Sequence, residues 1–480
     1  MKRPPSSPSL RARAPFQVLD GFGRAVSAAC RVVAPSDVAE LRALVKQAAA
    51  EGLRITFRGA GRSYGDASLG TDGLVVDMTA FRRMLHWDPV SGIAEFEPGL
   101  TIEDLWRRTI EDGYWPPVVP GTMRPTLGGA LGMNVHGKNA WRVGPIGEHV
   151  LEFDLLTSEG ELLCCSREQN ADVFHAAIGG MGLLGAFTRI RLQMKKVDSG
   201  LLQVTPLVGH NLNEVFDLFE ANLATSDYLV CWVDCLVPGR SLGRGVLHAA
   251  SYLHDVPDTP ANRESFHVEK QGLPTTIMGV PKSILWHFMA PFLTNIGTRF
   301  TNAVKFALDA WKGPKAYLQS HVAFAFLLDY VPNWRLAYGA GGFIQYQVFL
   351  PHASARSTLT EILRLSQQRG LPPYLGVLKR HRPDPFLMTH GLDGWSFAMD
   401  YKMTAANRAA MLALTHELTE KVLEVGGRFY MAKDGVLTST QAARFWGDAS
   451  LSTFNAIRDR LDPKRRLGSD MATRLGFNPR

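Results

Sequence analysis

The fold of the N-terminal part of this chain is decided by the stretch Arg58-Gly59-Ala60-Gly61-Arg62-Ser63-Tyr64-Gly65-Asp66. The stretch contains three glycines and directly follows the strand-like segment 53–57. Glycine lets the backbone turn through positive φ and approach a ligand closely, so that successive N–H groups can converge on phosphate oxygens. A second glycine-bearing stretch covers 120–129 and contains Gly121, Thr122, Thr126, Leu127, Gly128 and Gly129. Two such loops predict a dinucleotide bound in an extended form between them.

Size and composition restrict the class of protein. A chain of 480 residues favours two domains of ordinary size. Its 46% hydrophobic and 20% charged residues are typical of a soluble globular protein. The net charge of +7 favours an anionic ligand, but the basic residues are dispersed rather than gathered in a stripe with aromatic residues. We therefore expect a cytoplasmic protein with an anionic ligand and no nucleic-acid partner.

The sequence carries no metal or disulfide signature. No Walker A, HExxH or GxSxG motif is present, and the acids and histidines lack the spacing of metal ligands. The five cysteines form no CxxC pair, which predicts neither a zinc site nor a disulfide framework and fits a reducing compartment: Cys30, Cys164, Cys165, Cys231 and Cys235. The adjacent Cys164 and Cys165 are predicted to lie in a strand.

The N-terminus is basic and rich in proline and serine, and it lacks the apolar run of a secretory signal. Residues 1–18 are therefore predicted to be a disordered leader. No stretch of about 18 uncharged apolar residues occurs, so no membrane-spanning helix is expected.

The order of the predicted elements favours an α+β fold. Predicted helices cover 36–51 with Ser36 as N-cap, 101–112, 212–223 and 357–368, and predicted strands include 228–237 and 342–350. Up to residue 196, strands, short helices and glycine loops are mixed rather than repeated as strict βαβ units. We predict a first domain over 19–196, a second domain over 197–420, and a C-terminal segment over 421–480 that returns to the first.

The sequence Gly180-Met181-Gly182-Leu183-Leu184-Gly185 matches the G-x-G-x-x-G pattern of Rossmann dinucleotide sites. That pattern has to follow a strand and open a helix. Here the predicted order is inverted, with a helix over 170–178 before the glycines and a strand over 186–194 after them. The pattern therefore predicts a glycine turn whose backbone lies against a flat ring, with a purely structural turn as the alternative.

Two further positions carry candidate chemistry. His136 lies in a glycine-flanked loop beside Lys138 and Asn139, and such loops commonly face ligands, which favours a functional role. Lys433 precedes Asp434, and spacing alone favours an exposed lysine paired with that carboxylate.

Segment 281–330 is the part of the chain richest in aromatic residues, and lysines and an arginine flank its apolar positions. An ordinary core helix is one interpretation of it. A surface that docks on anionic lipid or admits a lipid tail is the other, and it leaves peripheral contact with the inner membrane open. Pro281 and Pro291 argue against one long amphipathic helix.

The two glycine loops, together with His136-Gly137-Lys138-Asn139, resemble the PCMH-type FAD-binding domain of the vanillyl-alcohol oxidase/p-cresol methylhydroxylase superfamily. Later motifs are similar to the subfamily of flavoprotein subunits of decaprenylphosphoryl-ribose 2'-epimerases: Phe343-Ile344-Gln345-Tyr346-Gln347, Gly394-Trp395, Tyr430 with Ala432-Lys433-Asp434, and Ser469-Asp470-Met471-Ala472. The likeness runs in order from about residue 20 to the C-terminus and is weakest between 200 and 320. The glycine loops specify only the superfamily, and the later motifs specify the subfamily.

The resemblance implies an FAD domain of two subdomains, completed by the C-terminal segment, and a substrate domain with an antiparallel sheet flanked by helices. It implies FAD contacts from Arg58, Gly59, Ala60, Gly61, Arg62, Ser63, Tyr64, Gly65, Asp66, Gly121, Thr122, Thr126, Leu127, Gly128, Gly129, Met133, Asn134, His136, Gly137, Asn139, Gly182, Phe187 and Tyr430. It implies substrate contacts from Gln345, Gln347, Lys379, Ser396, Ala398 and Lys433. Catalytic roles are implied for Lys433, His136 and Tyr64.

The implied reaction is oxidation of a secondary sugar hydroxyl, that of the 2' position of a polyprenyl-phosphoryl pentose, to a ketone with hydride passing to flavin N5. A separate NAD(P)H-dependent short-chain reductase would then complete an epimerisation. Some superfamily members tether FAD through a histidine where this chain has Arg62, which implies non-covalent FAD. Relatives often carry Asn and Cys where this chain has Ser396 and Ala398, so the identity of the sugar stays open.

Three alternatives remain at this point. An alditol or aldonolactone oxidase that uses O2 and acts on a free sugar would share the fold, as would a flavin-dependent alkene reductase of the sterol-reductase type. A basic binding module for nucleic acid or membrane, without flavin, is the alternative from a different class.

Overall fold

The computed structural model describes residues 9–71, 73–277 and 279–478. Within these ranges helices and strands are interleaved, in agreement with the predicted mixed α and β architecture. The strands are β1 (Phe16–Asp20), β2 (Ser27–Val33), β3 (Ile55–Arg58), β4 (Leu74–Asp77), β5 (Met84–Asp88), β6 (Ile93–Phe96), β7 (Tyr114–Trp115), β8 (Val150–Leu156), β9 (Leu162–Ser166), β10 (Ala186–Gln193), β11 (Lys195–Lys196), β12 (Leu201–Gly209), β13 (Tyr228–Val233), β14 (Gly245–Tyr252), β15 (Thr276–Ile277), β16 (Val280–Pro281), β17 (Tyr317–Ser320), β18 (Phe343–Pro351), β19 (Leu375–His381), β20 (Gly394–Lys402) and β21 (Arg428–Phe429).

The α-helices are α1 (Leu10–Arg13), α2 (Val38–Ala50), α3 (Ile102–Thr109), α4 (Leu127–Gly132), α5 (Ala140–Val143), α6 (Ala171–Ala177), α7 (Leu212–Asn222), α8 (Pro260–Ser265), α9 (Val268–Gln271), α10 (Leu285–Met289), α11 (Asn295–Lys312), α12 (His321–Ala325), α13 (His352–Gln368), α14 (Arg408–Glu424), α15 (Ser439–Trp446), α16 (Asp448–Leu461) and α17 (Asp470–Arg474). Across the described ranges, none of them is both long enough and apolar enough to cross a bilayer.

Two larger sheets are built from strands in the first part of the chain, where β7 and β11 also pair as a two-stranded sheet. One has the order β1-β2-β4-β3, and its β2, β4 and β3 run parallel. The other has the order β5-β6-β10-β8-β9 and is antiparallel, and Cys164 and Cys165 lie in its β9 as predicted. Both sheets precede the predicted boundary at residue 196.

Helix α2 packs on the first sheet through the apolar positions that its spacing predicts, and Leu41 and Val45 are fully buried there. The predicted N-cap is wrong by one residue. Asp37 accepts the hydrogen bond from Glu40 N at 2.8 Å, whereas the Ser36 hydroxyl donates to the Glu40 carboxylate. The Asp37 carboxylate is therefore the N-cap, and the helix begins at Val38.

Part of the predicted leader is ordered. Residues 1–8 lie outside the described ranges. Leu10 is fully buried, and its N–H donates to both oxygens of the Glu51 carboxylate. Strand β1 then pairs with β2 from Phe16 to Asp20. The prediction of disorder is therefore wrong for 9–18, because a buried leucine and an edge strand attach these residues to the first sheet.

The third sheet has eight strands in the order β17-β12-β14-β13-β19-β20-β18-β21, and every neighbouring pair is antiparallel. Opposed residues form rows across it, and residues two apart on one strand share a face. One row contains Gln347, Ala398, Val377 and Trp232. The next contains Gln345, Asp400 and Leu375, on the same face.

Segment 281–330 does not form an ordinary core helix. Helix α11 begins after Pro291 and runs for 18 residues. Several of its large apolar side chains are exposed, including Ile296 at 85% and Trp311 at 83%. The core-helix interpretation is wrong for α11, because the polar side of this helix faces the protein, as described below.

The C-terminal segment packs on the first sheet. Ile55 N donates to Arg466 O at 2.7 Å, and Gly468 N donates to Ile55 O at 2.9 Å. The Arg474 guanidinium donates to both oxygens of Asp66, at 2.7 and 2.9 Å. It also lies 2.9 Å from Asp434 Oδ2. One largely buried cation therefore joins the first glycine loop to the residue that follows Lys433.

Replacing this cation tests its role. Arg474→Met should lower the free energy of unfolding by about 3–5 kcal/mol, because it leaves two carboxylates without their buried partner. Arg460→Met removes an exposed pair with Asp172 from the same C-terminal segment and should cost about 0–1 kcal/mol. Urea unfolding of both variants measures the difference. Equal losses would show that Arg474 contributes no more than a surface ion pair.

Candidate active site

A cavity of about 610 Å³ lies where the glycine loops face the eight-stranded sheet. The residues predicted to contact FAD that line it are Arg58, Gly59, Ala60, Gly61, Arg62, Ser63, Tyr64, Gly121, Thr122, Thr126, Gly128, Gly129, Met133, His136, Gly182, Phe187 and Tyr430. The residues predicted to contact substrate that line it are Gln345, Gln347, Lys379, Ala398 and Lys433. The fold thus brings candidate residues from distant parts of the chain to one space.

The two glycine loops meet at Gly59. A Cβ on Gly59 would lie 2.1 Å from Thr126 Oγ1, so a side chain there would force the loops apart. Gly61 has φ +62°, a backbone conformation that favours glycine and turns the loop. Within the described ranges, no acceptor takes the backbone N–H groups of residues 59–63. These donors are available to an anionic ligand.

Asp329 fixes the second loop. Its Oδ1 accepts a hydrogen bond from Thr122 Oγ1, and its Oδ2 accepts one from Met123 N, both at 2.8 Å. Burial raises the pKa of this carboxyl. Asp329 lies more than 200 residues away in sequence from the loop that it holds, so no local pattern could have indicated the contact.

The turn at 180–185 has the inverted context that the sequence predicts, between α6 and β10. Gly182 has φ +74°, and no atom of the described residues lies within 4 Å of a Cβ added there. Because Gly182 lines the cavity, that Cβ would project into it. The turn therefore presents bare backbone to the cavity, as a flat ligand ring requires.

Lys433 points into the cavity and does not pair with Asp434 at the surface. Its Nζ lies 3.6 Å from the centroid of the Tyr64 ring. Burial lowers the pKa of Lys433 to about 7, against the opposing effect of the Asp400 carboxylate. Burial also raises the pKa of Asp400 to about 7, and this carboxylate accepts a hydrogen bond from Gln345 Nε2. The prediction from spacing alone is wrong, because the chain turns Asp434 towards Arg474.

His136 is buried beside the strands of the eight-stranded sheet that line the cavity. Its Nε2 accepts a hydrogen bond from Gln347 Nε2 at 2.9 Å, and its Nδ1 has no partner among the described residues. Burial, followed by the charge of Lys379, holds the pKa of His136 well below its ordinary value. Burial lowers the pKa of Lys379 to about 8. His136 is therefore a neutral imidazole that orients a glutamine amide.

The other predicted contacts do not line the cavity: Gly65, Asp66, Leu127, Asn134, Gly137, Asn139 and Ser396. They hold the loops and strands that do. Asn134 Oδ1 accepts a hydrogen bond from Gly147 N at 3.1 Å, and Asn139 Nδ2 donates to Pro117 O at 2.9 Å. Ser396 is buried, with its hydroxyl 2.7 Å from His381 Nε2.

Several residues that line the cavity are not among those predicted from the sequence, among them Trp232, His248, Lys305, Gln319, Leu375 and Val377. Period-two spacing on β19 would have indicated that Leu375, Val377 and Lys379 share a face. Which strands neighbour one another depends on tertiary pairing, however, and only the rows across the sheet bring Trp232 beside Val377.

Comparison with known proteins agrees with this geometry. Residues 29–166 match the family model described as an FAD binding domain. The protein is therefore an FAD-binding flavoprotein, and it is an enzyme of the oxidoreductase class.

The chain is 29% identical over 471 residues to decaprenylphosphoryl-beta-D-ribose oxidase of Mycolicibacterium smegmatis, a match that covers 95% of this chain and 97% of that protein. The resemblance predicted from the motifs is confirmed. An uncharacterised protein of Streptomyces coelicolor is 28% identical over 79% of this chain and 100% of its own length. Cytokinin dehydrogenase 7 of Oryza sativa is 36% identical over only 36% of this chain and 34% of that protein.

Gly182 provides a test of the cofactor site. Gly182→Ala should weaken FAD binding by about tenfold or more, because the added methyl group occupies space at the ring. Gly426→Ala is the matched control, since Gly426 has φ +73° and open space around it but does not line the cavity. Titration of the apoproteins with FAD, followed by flavin fluorescence, measures both affinities. Equal affinities in the two variants would place the flavin ring elsewhere.

Proposed function

We propose that the protein oxidises a secondary hydroxyl of a sugar to a ketone, with the 2'-OH of a polyprenyl-phosphoryl pentose as the substrate group. The observation that carries the proposal is the convergence of Lys433, Lys379 and two glutamine amides on the cavity that the glycine loops also line. Similarity to the M. smegmatis oxidase over almost the whole chain supports the same substrate class. The comparisons do not favour an alditol oxidase or an alkene reductase.

The residues present fit FAD. The free N–H groups of 59–63 suit the pyrophosphate, and the bare turn at Gly182 suits the ring. In this proposal the two N-terminal sheets are the two subdomains of the FAD domain, and the eight-stranded sheet belongs to the substrate domain. FAD is held non-covalently, because the guanidinium of Arg62 stands where a histidine would form the bond. When bound, FAD supplies the hydride acceptor, at N5.

Lys433 Nζ receives the proton of the reacting hydroxyl. Loss of a hydride from the carbon makes the O–H strongly acidic, so a base at this atom promotes the reaction. The pKa of about 7 leaves a substantial neutral fraction of Lys433 near neutral pH. After the transfer, the ammonium is a fixed positive charge where negative charge accumulates. The Tyr64 ring positions the amine by lying against it.

The glutamines bind the sugar hydroxyls in this proposal. Asp400 holds the amide nitrogen of Gln345, and neutral His136 holds that of Gln347. With both nitrogens held, the amide oxygens are the groups offered to substrate. Lys379 supplies the cation for the phosphate, and the small side chain of Ala398 leaves room beside Gln347 in the same row.

A ketone product implies a second enzyme. Net epimerisation requires hydride to return to the same carbon from the opposite face. We propose that a separate NAD(P)H-dependent reductase of the short-chain class performs that step.

Anaerobic addition of prenyl-phosphoryl pentoses to the holoprotein should bleach the flavin absorbance, whereas free alditols should not. Lys433→Ala should keep FAD but slow bleaching by about a thousandfold, because a positioned general base contributes about 10²–10⁴-fold. Lys421→Ala, which removes a surface pair on α14, should bleach at the normal rate. The same samples, denatured and filtered, should release all their flavin.

Normal bleaching of Lys433→Ala would remove this residue from the mechanism. Hydrogen peroxide formed from free sugar alcohols would favour the alditol oxidase alternative instead. Yellow colour retained on the denatured polypeptide would contradict non-covalent binding.

The rate constant of flavin reduction should rise with pH through about 7, because the neutral form of Lys433 is the base. The Asp400 charge raises the pKa of Lys433, so Asp400→Asn should move the midpoint to lower pH. Lys433→Arg should abolish the rise, since a guanidinium stays protonated. Stopped-flow reduction across pH measures all three profiles. An unchanged midpoint in Asp400→Asn would show that some other group controls the profile.

A further inference from the structure

Helix α11 is amphipathic, but several of its large apolar side chains face away from the protein. Some of its polar side chains face the protein, where Asn302 Nδ2 donates to Asp234 Oδ1 at 3.0 Å and Lys305 Nζ lies 4.8 Å from the centroid of the Trp232 ring. Phe306 is buried, but the other large apolar side chains face outward, with exposed fractions of 85% for Ile296, 61% for Phe300, 43% for Val304, 49% for Leu308 and 83% for Trp311. A helix at the surface of a globular protein normally buries such a stripe.

These exposed residues recur every three or four positions and therefore form one continuous face. Phe288 and Phe292, just before the helix, extend it. We name the exposed apolar side chains between Phe288 and Trp311 the docking face. A contiguous exposed face of this kind marks an interaction surface.

The charges around the docking face select the kind of partner. Asp309 is the only acidic residue of the sequence between 281 and 328, and it is paired with Lys305. Arg299, Lys312 and Lys315 are exposed at the border of the face. Apolar side chains bordered by cations match a bilayer with anionic headgroups, which accepts the apolar groups below the phosphates and attracts the cations.

The cavity opens beside the docking face. Lys305 lines the cavity from the inner side of α11. Tyr317 and Leu327 also line it and are 42% and 50% exposed. A sugar carried on a membrane lipid can therefore reach the cavity while its hydrocarbon chain stays in the bilayer.

We propose that the docking face binds an anionic bilayer and holds the mouth of the cavity against it, so that a lipid-linked substrate enters from the membrane. The entry of substrate rests on the proposed function, whereas the docking does not.

Flotation of the holoprotein with vesicles tests the docking. The holoprotein should bind vesicles of phosphatidylglycerol mixed with phosphatidylcholine. It should not bind vesicles that contain only phosphatidylcholine. The triple variant Ile296→Ser/Phe300→Ser/Trp311→Ser should reduce binding by about tenfold or more, because the apolar groups that enter the bilayer are lost. Leu412→Ser, at an exposed apolar position of α14, is the matched control and should bind normally.

Bleaching assays connect the docking face to substrate entry. With a short, water-soluble prenyl-phosphoryl pentose, the triple variant should reduce its flavin as fast as the unaltered protein. With a long-chain substrate in anionic vesicles it should be slower by about tenfold, in proportion to the lost binding.

Unchanged vesicle binding by the triple variant, or conversion of a dimer to a monomer without any vesicle binding, would overturn the proposal. Failure of every prenyl-phosphoryl sugar to bleach the unaltered protein would overturn the proposed function instead, and the flotation result would still decide the docking.

Discussion

The guanidinium of Arg474 links two segments of the chain that line the candidate active site. It hydrogen-bonds to Asp66 at the end of the first glycine loop and forms an ion pair with Asp434 beside Lys433, although these residues are separated by most of the chain. The two segments can approach each other closely because Gly65 has no side chain: a Cβ there would lie 2.0 Å from the backbone oxygen of Asp434. Charge-assisted hydrogen bonds are strong where water is excluded. The anion-binding loop and the candidate base are therefore positioned as one unit.

The eight-stranded sheet forms the opposite wall, and its chemistry follows from alternation. Gln345 and Gln347 on β18, with Ala398 and Asp400 on β20, share one face because residues two apart point the same way. Pairing then places Asp400 in the same row as Gln345, so the carboxylate that acts on Lys433 also fixes the amide of Gln345. A change in this row should therefore affect both the proposed base and the proposed sugar contacts.

The sequence predicted those features of the site that depend on neighbouring residues, namely the glycine loops and the turn. Glycine spacing at 58–66 and 120–129 singled out the two loops that line the cavity, and the inverted order around 180–185 predicted a turn rather than a Rossmann helix start. The position of Lys433 could not come from its neighbours, since Arg474 draws Asp434 away from it. The sequence left the orientation of helix α11 open for a related reason: its apolar spacing shows that it is amphipathic, and only the contacts of Asn302 and Lys305 show which side is inside.

In the proposed function, desolvation favours an anionic sugar over a neutral one as the occupant of this cavity. Burial lowers the pKa of Lys433, Lys379 and His136, because a poorly hydrated space disfavours their charged forms, and the charge of Lys379 lowers the pKa of Lys433 and His136 further. A substrate phosphate beside Lys379 would offset one of those charges. The depressing effect of Lys379 on the pKa of Lys433 would then weaken, and Lys433 would accept a proton more readily. A neutral polyol offers no such compensation, so the charge distribution itself favours a phosphorylated substrate.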